Sequence, residues 1–178
     1  MRIKQATILD IDTISSIHSK SWKNAYRGIL SNEYLDTEVE SEHISLWQKR
    51  LSSEDQTNKL ILLAFKIEIP VGFMCVVLGG DRNLGSCLDN LHVLPDYRGQ
   101  RIGLRLFVEA ARWTRKEQMC QLMHLWVLEE NYKARSFYNS LQGKIVNRKL
   151  SKFGQCEVPV LCYLWDNLSA IIEIGSSF

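Results

Sequence analysis

The chain has 178 residues and a mass of 20.6 kDa, with 46% hydrophobic and 24% charged residues, which suits one globular domain spanning 1–178. A net charge of +2, a pI near 8.3 and the lack of a basic run argue against a nucleic-acid or membrane-surface partner. No uninterrupted apolar segment approaches the roughly 20 residues that a bilayer requires, and Met1 to Ala6 has no apolar signal core.

Five cysteines, Cys75, Cys87, Cys120, Cys156 and Cys162, are odd in number and contain no Cys-x-x-Cys pair, so reduced thiols and a cytoplasmic setting are expected. His18, His43, His92 and His124 are scattered without metal-ligand spacing, and no metal is expected.

In chain order, Arg2 to Thr7 predicts a first strand, after which Asp10 or Asp12 can cap a helix. Ile11, Ile14, Ile17, His18, Trp22, Ala25 and Tyr26 recur at three- and four-residue steps and give that helix one apolar face, with Gly28 as its stop. Ser31 with Tyr34 and Leu35 starts a further helical turn, and Ser41 to Leu51 reads as a helix in which Ile44, Trp47 and Leu51 share a face. Lys59 to Ile67 and Val71 to Leu78 read as an antiparallel hairpin turned at Glu68-Ile69-Pro70, and Gly79 to Gly85 is a loop by composition.

Leu88 to Val93 alternates like a half-buried strand, and Pro95, which lacks an N–H, ends its ladder. From Gly103 onward Leu106, Phe107, Ala110, Ala111 and Thr114 fall at helical spacing. Arg98 to Gly103 is therefore a loop feeding a helix N-terminus. There the unsatisfied amides and the helix dipole favour an anion, the glycines allow close backbone approach, and Arg98 and Arg101 add charge. Alone, this signal is also that of a plain strand-turn-helix.

His124 to Leu128 predicts a short strand, Asn131 to Leu141 a helix stopped by Gly143, and Lys144–Leu150 and Glu157–Trp165 two late strands. Leu161, Tyr163, Leu164 and Trp165 serve either the core or a homodimer face. The tail 167–178 either packs as an extra turn through Ile171, Ile172 and Ile174 or is partly disordered. The mixed order predicts an α/β (α+β mixed) fold with a twisted sheet of about six to seven strands, partly antiparallel and flanked by helices.

Two motifs in this order resemble the GCN5-related N-acetyltransferases of bacterial type. Arg98-Gly99-Gln100-Arg101-Ile102-Gly103 is similar to the family's phosphate loop, Arg/Gln-x-x-Gly-x-Gly/Ala, with Arg101 in place of the middle glycine. Asn131-Tyr-Lys-Ala-Arg-Ser-Phe-Tyr138-Asn-Ser-Leu-Gln-Gly143 resembles the signature Asn-x-x-Ala-x-x-Phe-Tyr-x-x-x-Gly, and Ser21 to Gly28 resembles an opening helix of many members.

The resemblance implies a mostly antiparallel family fold and an acetyl-coenzyme A-dependent N-acetyltransferase acting by direct attack in a ternary complex. It implies that the backbone of Leu91, His92 and Val93 pairs with the pantetheine arm, with an N–H near Leu91 polarising the thioester carbonyl. It further implies that Arg98, Gly99, Gln100, Arg101, Ile102 and Gly103 hold the pyrophosphate, that Asn131 binds the cofactor, and that Tyr138 is the general acid. Lys133 and Arg135 are candidates for the 3′-phosphate.

Where some members place a glutamate this chain has Cys87, so Asp89 is the candidate base, or else a group that bonds backbone or attracts a cationic substrate. Trp22, Tyr26 and Trp47 either line the acceptor pocket or belong to the core. The acceptor is a small-molecule primary amine or, as a second reading, a protein or peptide amine. A non-catalytic acyl-coenzyme A sensor is a third.

Overall fold

The computed structural model describes residues 1–52, 57–79, 83–118 and 121–175. Cys120, positions 80–82 of the expected glycine-rich loop and positions 176–178 of the tail lie outside them. Among the described residues the strands are β1 (Arg2–Gln5), β2 (Lys59–Lys66), β3 (Ile69–Val77), β4 (Ser86–Val93), β5 (Met123–Leu128), β6 (Lys144–Phe153) and β7 (Cys156–Trp165). The helices are α1 (Ile11–Ala25), α2 (Asn32–Thr37), α3 (Val39–Ser52), α4 (Ile102–Gln118), α5 (Tyr132–Ser140) and α6 (Leu168–Gly175). The strands form one sheet in the order β1-β2-β3-β4-β5-β7-β6, antiparallel throughout except for β4 beside β5.

Alternation in β3 divides the core between the two faces, because successive side chains point to opposite sides. Met74 and Val76 join Leu106, Phe107 and Ala110 of α4 and Tyr138 of α5 in one cluster, while Phe73 and Cys75 join Ile14 and Ile17 of α1 and Trp47 of α3 in another. A third cluster sets Tyr26, Tyr34 and Leu35 against Leu128 and Val160.

One local reading needs correction, and burial decides between two pairs of alternatives. The β2–β3 turn is Ile67-Glu68, with Ile67 at φ 57°, and Pro70 lies within β3, paired with Phe65 just past a register shift that accommodates it. Leu161, Tyr163 and Trp165 are buried within this single chain, so they serve the core. In the tail, α6 buries Leu168 and Ile171 against α4, whereas Ile174 is 40% exposed. No helix among the described residues is long and apolar enough to cross a membrane.

Candidate active site

The parallel pairing of β4 with β5 stops after Ser86↔Met123 and Cys87↔His124. Beyond it, β4 has no strand partner on that side among the described residues, and a cleft of ≈ 950 Å³ opens between β4, the loop before α4, β5 and α5. The divergence begins at a β-bulge, an extra residue that bends one strand. Cys75 pairs with Asn90 and Val76 with Leu88, leaving Asp89 unpaired between them. Leu88 and Leu91 consequently both pack toward α4, three residues apart. The simple alternation that would put Asp89 and Leu91 on one face fails here. Asp89 and Asn90 instead both reach Arg50 of α3, at 2.5 and 2.7 Å.

The loop into α4 turns through two left-handed residues, Gly99 at φ 74° and Arg101 at φ 60°. Arg101 thus adopts the backbone conformation that the expected glycine would take freely, at a cost of about 1–2 kcal/mol for an L side chain. The Arg105 N–H donates to the Arg101 carbonyl at 3.0 Å. The amides of Ile102, Gly103 and Leu104 precede the first intrahelical bond and lie along the cleft. A methyl group at Gly103 would meet Val93 only at 3.8 Å, so the chain runs past β4 without crowding it. This open amide cradle fits a diphosphate.

Arg98 also lines the cleft, but its Nε donates to the Val93 carbonyl (3.1 Å) and its Nη1 to Asn24 Oδ1 (2.8 Å), joining the loop to β4 and α1. Burial lowers its pKa. Gln100 is exposed, bonded to Lys66 and the Asp96 carbonyl, and stands outside the cleft lining. Lys133 lines the cleft, whereas Arg135 donates to the Glu129 carbonyl at 2.8 Å and covers the Tyr132 ring, away from the lining. Between these two candidate phosphate ligands, only Lys133 faces the space.

Asn131 caps α5, its Oδ1 accepting from the Ala134 N–H at 3.3 Å, and one face of the short helix brings it and Tyr138 to the same cleft. Tyr138 is 8% exposed, with its ring centroid 5.7 Å from that of Tyr163 and 5.9 Å from that of Trp165. Burial, reinforced by the neighbouring phenols Tyr26 and Tyr163, pushes its pKa up and keeps it protonated. Tyr26 is raised to about 12 by burial, with Asn131 and Arg98 beside it pulling the other way.

His92 and Tyr26 line the cleft on its α1 side. The His92 ring lies 4.6 Å from His18, which stacks 3.5 Å from His43. Burial depresses all three pKa values: His92 to about 3, His43 to about 4, and His18 well below 6.5. Trp47 is fully buried beneath this group, its Nε1–H donating to His18 Nδ1 at 3.2 Å, so it belongs to the core and not to an acceptor pocket. Trp22 packs edge-on against His18, Tyr26 and His43, behind the lining. The Cys87 thiol, raised to about 12 by burial, is a poor nucleophile.

Sequence reasoning missed Arg50, Asn24 and the histidine cluster, whose members come from separate elements. Only His18, on the apolar face of α1, carried a sequence signal.

The acetyltransferase (GNAT) family matches residues 20–143. A spermidine N(1)-acetyltransferase of Thermoplasma acidophilum is 26% identical over 155 residues, 86% of this chain and 94% of that protein. An uncharacterized N-acetyltransferase of Archaeoglobus fulgidus is 28% identical over 144 residues, 79% and 90% of the two chains. Among solved structures, a PaiA N-acetyltransferase from Thermoplasma acidophilum in complex with coenzyme A superposes with a TM-score of 0.76 at 23% identity, covering 93% of this chain and 98% of that one.

Proposed function

The chain belongs to the GNAT acetyltransferase family, and on that premise we propose that the cleft beside β4 serves a small cationic primary amine of polyamine type, with Tyr138 as general acid. The reaction is acetyl transfer from acetyl-coenzyme A to an amine. Acetyl-coenzyme A supplies the acetyl group as an activated thioester. The observation that carries the site assignment is the meeting, in one cleft, of an open strand flank, a helix N-terminus with unused amides and a phenol that burial keeps protonated.

In this reading the amides of Ile102 to Leu104, with Gly99 and Arg101, hold the diphosphate, and Lys133 meets the remaining phosphate. The backbone of Leu91 to Val93 binds an amide-bearing arm as an added strand, and the Leu91 N–H polarises the reacting carbonyl. Asn131 hydrogen-bonds the same ligand. Tyr138 donates its proton to the departing sulfur. Arg98 keeps the Val93 carbonyl and the loop in register, and Gln100 steadies the loop from outside.

Asp89 and Glu130, carboxylates in the lining, face the acceptor's positive charge, and Asp89 receives its proton directly or through water. The spermidine acetyltransferase relative supports the small-amine class.

Calorimetric titration with acetyl-coenzyme A, followed by thiol release across spermidine, other polyamines, simple amines and short peptides, tests the reading. Polyamine-dependent release is expected. Release with peptides alone would move the acceptor to that class, binding without release would point to a sensor, and no binding by folded protein would remove the site assignment.

A further inference from the structure

We propose that Arg50, on α3 and outside the cleft lining, is the positioning residue that holds the β4 bulge and thereby sets where the β4 backbone presents itself to acetyl-coenzyme A. A bulge places two residues of one strand against one of its neighbour. Here those three are Asp89, Asn90 and Cys75, and the Arg50 guanidinium touches all of them. It pairs with Asp89 Oδ2 at 2.5 Å, donates to Asn90 Oδ1 at 2.7 Å and to Cys75 Sγ at 3.8 Å, and lies 5.2 Å from the Trp47 ring centroid. The Arg50 side chain is 23% exposed and Asn90 is 9% exposed, so these bonds are formed partly out of water.

The physical need for such a clamp follows from strand parity. A bulge leaves an unpaired residue in the ladder, and β4's apolar pattern, with Leu88 and Leu91 on one face, places it between them without choosing Asp89 over Asn90. Exchanging Asp89 for Asn90 as the extra residue would swap those two side chains between faces, and losing the extra residue would shift Leu91 to Val93 by one position against β3. A planar guanidinium fixes two acceptors at once in a set geometry, which a single lysine charge cannot do. Arg50 thus pins the extra residue at Asp89, one position beyond the last β4 side chain that pairs with β5 and its immediate successor.

The inference rests on the reading of Leu91 to Val93 as the cofactor-binding strand, which is tested separately by titrating acetyl-coenzyme A into isotope-labelled wild-type protein and observing those amides. The clamp itself is tested in free protein. In Arg50→Ala, amide exchange across Leu88 to Val93 should accelerate about 10- to 100-fold, the scale of lost charge-assisted hydrogen bonds, while α4 amides keep their protection.

The dissociation constant for acetyl-coenzyme A should rise by a comparable factor. A mere loss of folded molecules would lower kcat without changing that constant. Arg50→Lys should fall between the two, and added methylguanidinium should partly restore Arg50→Ala. Should Arg50→Ala not fold, Asn90→Ala cuts one arm of the clamp and should accelerate the same amides about tenfold. Unchanged β4 exchange in a folded variant, or altered exchange with unchanged acetyl-coenzyme A affinity, would overturn the proposal.

Discussion

On one face of the sheet α4 packs Leu106, Phe107, Ala110 and Ala111, all fully buried and apolar, whereas α1 and α3 bring Ser15, His18, Ser19, Ser21 and His43 to the other, all buried and polar. The same β4 strand serves both: Leu88, Leu91 and Val93 pack toward α4, while Asn90 meets Arg50 and His92 lies against His18. The apolar face resists deformation through close packing. The other face has its own apolar cluster, with Ile14, Ile17 and Trp47 against Phe73, and adds directional bonds among buried polar groups, Ser19 to His43 and Trp47 to His18. Both sides stabilise the domain by apolar packing, and the buried polar groups of the second fix geometry at a cost in desolvation.

Tyr138 challenges that division most sharply, because it stands in the apolar cluster yet carries the proposed acid. Tyr138→Phe should lower kcat about 10²- to 10⁴-fold, the usual worth of general acid catalysis, with acetyl-coenzyme A affinity nearly unchanged in calorimetry. A kcat close to wild type would return Tyr138 to a purely packing role. Next comes Phe107→Ala, expected to cost about 3–5 kcal/mol in denaturant unfolding, since a rigid apolar face cannot collapse around the cavity. Gly143→Ala should cost about 1–3 kcal/mol by overpacking. Its added methyl would lie 2.5 Å from the Trp165 ring, which is anchored by an Nε1–H bond of 2.8 Å to the Leu141 carbonyl.

The polar face should reveal itself through pH. Buried His18 and His43 have folded pKa values below the unfolded value near 6.5. Between those values the unfolded chain binds the extra protons, so the stability these imidazoles support is complete above pH 6.5 and declines as pH falls toward about 4. Each imidazole contributes a slope of up to about 1.4 kcal/mol per pH unit in that window. Thermal midpoints measured between pH 7.5 and 4.5 should decline accordingly, and His43→Gln should flatten part of the slope. An equal slope in that variant would remove His43 from the account.

Local periodicity made most elements legible. The three- and four-residue spacing of Ile14, Ile17 and His18 gave α1, and Pro95 with Gly103 framed the loop before α4. Asn131 and Tyr138, seven residues apart on one helix, meet at the cleft as their spacing requires. The bulge at Asp89 was not legible, because an extra residue in Cys-Leu-Asp-Asn-Leu leaves no compositional mark and appears only once β3 supplies the register. Nor could the separation of β4 from β5 be read, since both strands look like ordinary buried strands. Arg50 lay on the far side of a tertiary contact, forty positions before Asn90. Arg101 is the reverse case: its side chain argued against a glycine conformation, and the surrounding turn prevailed.

The early parting of β4 and β5 also bears on how this protein avoids its neighbours. Unpaired strand flanks recruit other chains, and most sheets confine them to their outermost strands, where charge or curvature blunts them. Here the β4 flank, facing an equally open β5 flank, adds such a site in the middle of the sheet, at the floor of a cleft walled by the α4 loop and α5. A slender, extended ligand can complete it, but another folded sheet is too broad to enter. Capacity for strand pairing is thus withheld from self-association by enclosure, leaving the residues beside it free to be chosen for chemistry rather than for repelling a second copy.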